Sequence, residues 1–430
     1  MVPNGWKRVK LKELCDQIVD CVNKTAPVVN SVTPYKMLRT SNIRTGRINT
    51  SDVRYVSEDV YEQWSRRGKL AEGDIVLTRE APVGEVGFVE DSQGFFLGQR
   101  LVMYRPGPKI SNRFLLYALM GGDCQRQLKD LSNGGTVHHL RVPDCGEIEI
   151  LTPPIEEGER IAQILLTWEK AIRVVKQLIK NTKLSKKALM QQLLTGRRRL
   201  SKFDKNGCYK QSPVGLVPED WDCEPLVRLT LMPIQNGIFN DPQKKGQGCK
   251  LVNVVDLFGA VPVDTTNLER LNASSSEVEK FGITHGDIFF TRSSLVSDGI
   301  AHCNIYSKED SEPIVFDCHI IRARPDPEKV NPFFLFRYCT SAIARRYFVS
   351  HAKTTTMTTI DQKVIEKLPV LLPPTLEQSE LAEALDVCDR MIQRQLAERD
   401  NLRRQKAALM QQLLTGKRRV RLEESTVCVR

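Results

Sequence analysis

The chain has 430 residues, 41% hydrophobic and 27% charged, enough for two to four domains that each bury a core. No apolar run is long enough to cross a bilayer and the segment Met1–Trp6 carries no apolar signal region, so a membrane or secreted protein is not expected. The twelve cysteines show no CxxC pair or Cys/His ligand spacing, which predicts reduced thiols in a cytoplasmic protein rather than a disulfide framework. A net charge of +11 suits a polyanionic partner without requiring one.

In chain order, the first segment has strand-like runs at 74–78, 86–89, 101–104 and 147–151, with a helix predicted over 112–128, Asn112 as its N-cap, and a glycine-punctuated loop at 132–136. Pro153-Pro154 then opens a helical block. Its apolar residues Ile161, Ile164, Leu165, Trp168, Ile172, Val175, Leu178, Ile179, Leu189 and Leu193 recur at steps of three and four. The block ends in Ala188-Leu-Met-Gln-Gln-Leu-Leu-Thr-Gly196 followed by Arg197-Arg198-Arg199. The whole order then repeats. Trp6 matches Trp221, Gly73-Asp74-Ile75 matches Gly286-Asp287-Ile288, Thr78-Arg79 matches Thr291-Arg292, and Arg105-Pro106 matches Arg324-Pro325. Strands are predicted at 287–291, 314–316, 319–321 and 368–372, with a helix from Asn331. Pro373-Pro374 opens a second helical block, with Leu381, Leu385, Cys388, Ile392, Leu396, Leu402, Leu409 and Leu413 on its stripe. Ala408–Gly416 repeats Ala188–Gly196 letter for letter, and Lys417-Arg418-Arg419 follows. The offset is 213 at Thr78-Arg79 and 219 at Arg105-Pro106, so the second copy carries an insertion of six residues between these points.

The expected organisation is an α/β domain over 1–152, a long helix in 153–200, a linker over 201–215, a second α/β domain over 216–372, a second long helix in 373–420 and a tail over 421–430. A narrow apolar stripe on a helix about 60 Å long calls for another helix, and the other copy is the expected antiparallel partner, giving a coiled coil with a pseudo-twofold axis. Thr195-Gly196 and Thr415-Gly416 are expected to end the helices. The basic triplets fit either the negative helix ends or contact with DNA phosphates.

The search for chemistry finds no phosphate-binding loop and no metal spacing among the six histidines. Asn331-Pro-Phe-Phe334 is read as a capped helix start rather than a methyltransferase motif, and Pro325-Asp326 with Glu328-Lys329 as a strand-to-helix turn rather than a nuclease core. DNA reading remains, since Arg, Lys, Asn, Ser and Thr side chains contact base edges and phosphates. Such residues cluster in loops at equivalent places: Arg39, Asn42 and Arg44; Thr78 and Arg79 with Thr291, Arg292 and Ser293; and His138, His139 and Arg141 with Lys353, Thr354, Thr355 and Thr356. Two other readings stand beside this one: a coiled-coil scaffold without nucleic acid, and a self-contained DNA-modifying enzyme.

The paired Pro-Pro helix starts, the Lys187–Gly196 and Lys406–Gly416 helix ends, and Gly-Asp-Ile followed by Thr-Arg in both halves resemble the specificity subunit of type I restriction–modification systems over essentially the whole chain. Gly158, where the second half has Gln378, departs from the pattern and is expected to weaken the first helical turn. The resemblance implies two target-recognition domains, each reading one half of a split site in double-stranded DNA. It implies a helix pair that acts as a ruler and docks two modification subunits. Those subunits bind S-adenosylmethionine and methylate adenine, and restriction subunits using ATP and Mg join them. By the same resemblance this chain is non-catalytic and holds no cofactor or metal. Two readers on a rigid pair about 60 Å long would span about 18 base pairs.

Overall fold

A computed structural model describes residues 2–132, 138–204, 207–354 and 356–422. The chain forms two compact units, Met1–Lys176 with Ala397–Arg430, and Gln177–Leu396.

In the first unit a six-stranded sheet runs in the spatial order Cys15–Asp20, Leu101–Pro106, Ile75–Thr78, Val86–Phe88, Gly46–Ile48, Ile43–Arg44. All four residues of Ile75–Thr78 are buried, because the sheet is covered on both faces. Ile75 and Leu77 pack with Val102, Tyr104 and the helix residues Phe114 and Leu115, whereas Val76 packs with Val19, Leu101 and Met103. The period-two alternation of a strand thus feeds two cores at once. The second unit repeats this at Ile288–Thr291, where Ile288 and Phe290 join the helix-side core with Phe334 and Leu335, and Phe289 joins Phe316 and Ile320 behind.

The repeated motifs explain themselves in this sheet. Gly73 and Gly286 adopt φ of +89° and +88°, open to glycine at little cost. The Asp that follows is buried and accepts a two-pronged ion pair: Asp74 from Arg105 at 2.9 and 2.8 Å, Asp287 from Arg324 at 2.7 and 2.8 Å. The Gly-Asp-Ile and Arg-Pro motifs are therefore two ends of one contact between neighbouring strands.

The helix expected over 112–128 is two helices, Asn112–Met120 and Gly122–Leu131, broken at Gly121. Its counterpart is likewise split, into Pro332–Cys339 and Ala342–His351. Asn331 caps its helix, its side chain accepting from Phe333 and Phe334 N–H at 2.9 and 3.1 Å. Asn112 does not: Ser111 holds the cap position, and Asn112 donates to the Gly73 carbonyl instead. Asp326 sits in a turn that receives Glu328 N–H on its carboxylate and Lys329 N–H on its carbonyl. In the stretch expected as a linker, Tyr209–Ser212 pairs with Gly215–Pro218 as a hairpin.

The long helices span Ile155–Leu193 and Thr375–Leu414. Both form their first turn, Gly158 N–H donating to Pro154 and Gln378 N–H to Pro374, so the glycine does not undo it. Gln378 adds side-chain bonds to Asn331 N–H and the Pro373 carbonyl. Both helices stop at the predicted glycine, Gly196 at φ +68° and Gly416 at φ +64°, with Arg198 N–H reaching back to Gln192 and Arg418 N–H to Gln412.

Within each unit the two helices run antiparallel. In the first, Glu157 pairs with Arg419 and Glu169 with Lys406 at 2.6 and 2.5 Å. In the second, Lys186 pairs with Asp389 at 2.5 Å and Arg199 with Glu377 at 2.6 Å. The third basic residue of each triplet is thus a structural cation. Each buried glutamate also accepts an indole N–H: Glu157 from Trp6 at 3.0 Å and Glu377 from Trp221 at 3.1 Å. Pro3 and Trp6 close over Gly416 as Pro218 and Trp221 close over Gly196. The chain's start therefore follows the end of its second helix as its middle follows the first. No helix among the described residues is long and apolar enough to cross a membrane.

Candidate nucleic-acid interface

In the second unit Thr291 ends a central strand and is fully buried, its hydroxyl accepting from His302 N–H at 2.9 Å and donating to the Gly299 carbonyl. It fixes the loop rather than presenting a side chain. The next residue, Arg292, is exposed, and its backbone is held on both sides: N–H to His319 and carbonyl from Ile360 N–H, each 2.9 Å. Ser293 and Ser294 then pair with Thr359 and Thr358, which pair in turn with Lys353 and Thr354. Two loops far apart in sequence are knitted into one small sheet. Arg292, Lys353, Thr354 and Thr356 are exposed on it and Ser293 is half-buried; Thr355 lies outside the described residues.

A third segment, 317–319, joins this cluster and was not singled out from the sequence. Asp317 accepts His319 N–H at 2.7 Å and pairs with its ring Nδ1 at 2.8 Å. Asn236 donates to the Cys318 carbonyl and accepts from Gln362 at 2.8 Å each, tying it to the helix after the threonine loop. Asp317, Cys318 and His319 are the one group of three potential metal ligands among the described residues. They are consecutive in the chain and bonded to one another, which makes them a turn.

The first unit uses the same scaffold with a different outcome. Thr78 is buried, donating to Pro82 at 2.6 Å and accepting from Glu85 N–H. Arg79 has its backbone held by Arg100 and Leu140, the counterparts of His319 and Ile360, but its guanidinium turns inward and donates to the Leu140 carbonyl at 3.0 Å. It is 8% exposed. Arg100 is exposed here instead, beside Glu80 at 2.9 Å, with φ of +68° just before the strand Leu101–Pro106. Glu80 bridges His139, which is half-buried; His138 is exposed, and Arg141 is exposed and held by Asp144 at 2.7 and 3.1 Å. Asn133–Val137 of this loop lie outside the described residues.

The Arg39–Arg44 turn approaches the loop between Thr78 and Val86, Thr45 N–H reaching the Glu85 carboxylate at 2.9 Å. Its polar residues largely serve the turn. Asn42 is buried, accepting from Arg39 N–H and donating to the Asn49 and Asp52 carbonyls, and Arg39 pairs with Asp52 at 2.7 Å. Arg44 is exposed, with one guanidinium nitrogen on the Thr40 carbonyl. The counterpart turn in the second unit, Val254–Phe258, approaches His302, whose ring meets the Leu257 carbonyl at 3.0 Å and stacks on Phe258. Burial holds the His302 pKa below the usual imidazole value.

Positive charge also gathers on the helices of the first unit. The Lys176 pKa is lowered by partial burial and then by Arg403, Arg47 and Arg399 around it. A cleft of about 760 Å³ that shares Arg47 is lined by Lys36, Arg47, Arg113, Lys170 and Arg173 together with the carboxylates Glu90, Asp91 and Glu169, and Glu90 pairs with Arg113 at 2.8 Å.

The family model for the type I restriction modification DNA specificity domain matches residues 3–183 and 261–399. A putative type I restriction enzyme MjaX specificity subunit of Methanocaldococcus jannaschii is 25% identical, the match covering 98% of this chain and 95% of its own. The EcoKI specificity subunit of Escherichia coli K12 is 23% identical over 93% of this chain and 87% of its own. Among solved structures, a chain from a type I R-M system superposes with a TM-score of 0.58 at 18% identity, covering 97% of this chain and 100% of that one. The type I S subunit from M. genitalium gives 0.51 at 15%, covering 96% and 97%.

Proposed function

This chain belongs to the type I restriction–modification DNA specificity family, and from that membership we propose that it is the subunit that supplies the DNA sequence read by such a complex. Each α/β domain, 1–152 and 216–372, reads one half of a bipartite site in double-stranded DNA. The helices of 153–200 and 373–420 set the spacing and dock two modification subunits, which use S-adenosylmethionine to methylate adenine; restriction subunits with ATP and Mg complete the assembly in the cytoplasm. The chain contributes recognition and no catalytic group.

The observation that carries the reading is the knitting of Arg292–Ser294 with Lys353–Thr359 into one polar surface, matched by the Arg79–Leu140 pairing in the other half. The same backbone frame thus displays different side chains in the two halves, as two readers of unlike sequences require. The contacting residues in this proposal are Arg292, Ser293, Lys353, Thr354 and Thr356 in the second half, and Arg44, Arg100, His138, His139 and Arg141 in the first. Thr78, Thr291, Asn42, Arg39 and Arg79 hold the loops that present them. The test is exchange of residues 1–152 for those of a relative with a known site. One half of the methylated motif is expected to change and the other to persist; a change in both halves would contradict modular reading.

A further inference from the structure

The six extra residues of the second half fall largely in one loop. In the first half Gly84 N–H donates to Thr78 and Thr78 N–H to Glu85, enclosing Arg79–Val83; in the second, Ala301 N–H donates to Thr291 and Thr291 N–H to His302, enclosing Arg292–Ile300. The shorter loop tucks Val83 against its core. The longer one carries Leu295 and Val296 at its tip, 84% and 63% exposed.

This loop is built to hold its shape. The Arg345 guanidinium, from the helix Ala342–His351, donates to the carbonyls of Asp298, Ile300 and Ala301 at 2.9, 2.5 and 3.0 Å. Val296 N–H reaches the Ser294 hydroxyl and Gly299 N–H the Val296 carbonyl. A Cβ on Gly299 would come within 2.3 Å of the Ser294 hydroxyl, which would then have to turn away from its bond with Val296 N–H. Two aliphatic side chains are thus kept in water on an ordered loop whose base is continuous with Arg292 and the Ser293–Ser294 strand.

We propose that Leu295 and Val296 are specificity-determining residues of the second half-site, entering a DNA groove to make apolar contact with base pairs that the polar cluster cannot read. The inference rests on the DNA-reading function proposed above. DNA offers two apolar features to such a tip: the thymine methyl in the major groove and the face of a base step opened by a wedge. The neighbours favour DNA over a protein partner, since exposed Arg292, Lys353, Thr354 and Thr356 surround the loop base with phosphate- and base-binding groups.

The test uses the full chain assembled with its modification subunits, and a duplex bearing the bipartite site. Leu295→Ala with Val296→Ala is compared with wild type, with Leu295→Met as the conservative control. We expect the double variant to bind about tenfold more weakly, the scale of one lost base contact, and the control to bind as wild type. Two arms identify the feature. Either thymine-to-uracil substitution in the second half-site weakens wild type and leaves the variant indifferent, or 2-aminopurine there brightens with wild type and not with the variant. Equal binding and equal responses in both arms would overturn the proposal. So would a variant that loses modification-subunit assembly while the assembled complex keeps its DNA affinity, which would assign the tip to a protein contact. Failure of the wild-type complex to bind any duplex would instead overturn the DNA-reading function itself.

Discussion

At Glu157 and Glu377 a single carboxylate gathers an indole and a guanidinium from different parts of the chain. Glu377 is fully buried, and Arg199, held by it and then by Asp220, has its pKa raised further above the ordinary guanidinium value. Removing one partner of a buried pair costs about 3–5 kcal/mol where the other is left unpaired, and less for Arg199, which keeps its two bonds to Asp220. Glu377→Ala is therefore expected to lower the denaturant midpoint of the full chain strongly, and Glu157→Ala, beside the more exposed Arg419, to lower it less. An unchanged midpoint for Glu377→Ala would show that the cluster does not hold the helix end. Both tryptophans and both triplets were visible as repeats in the sequence, but their partnership was not, because it runs through glutamates 151 and 262 positions away in the first half and 156 and 178 in the second. The same limit governs the interface. Thr78 and Thr291 were legible as a pair, yet a hydroxyl at a strand end serves the loop as readily as a ligand, and burial decided between them. Arg79 and Arg292 share a backbone frame and point opposite ways, which no residue type announces.

Among the elements, the long helices were the most legible, since an apolar stripe repeated in two copies and a terminal Thr-Gly fix both period and end. The central strands were legible from runs such as Ile75–Thr78. Lys7–Lys10, short and largely polar, was not, nor was Lys36–Leu38, whose three residues are too few to show a period. The break at Gly121 was read through because the apolar spacing continues on both sides of it. If the helix pair sets the half-site spacing, adding one helical turn to both helices, at 177 and at 397, lengthens it by about 6 Å at 1.5 Å per residue. The preferred spacer in the methylated motif is then expected to grow by one or two base pairs, read by sequencing methylated DNA. An unchanged spacer would argue that the helices do not measure the distance.

For the molecule as a whole, duplication with divergence is the organising fact. The helix ends remain identical where each must receive a tryptophan segment and a basic residue, and the loops differ where two half-sites would have to be told apart. In the proposed function this chain alone decides which DNA the complex modifies. The most direct test is methylation mapping across the genome of cells that carry the matching modification subunit, with and without this chain. A bipartite adenine-methylated motif that appears only when the chain is present is the predicted result. An assembled complex that yields the same methylation pattern without the chain as with it would contradict the account.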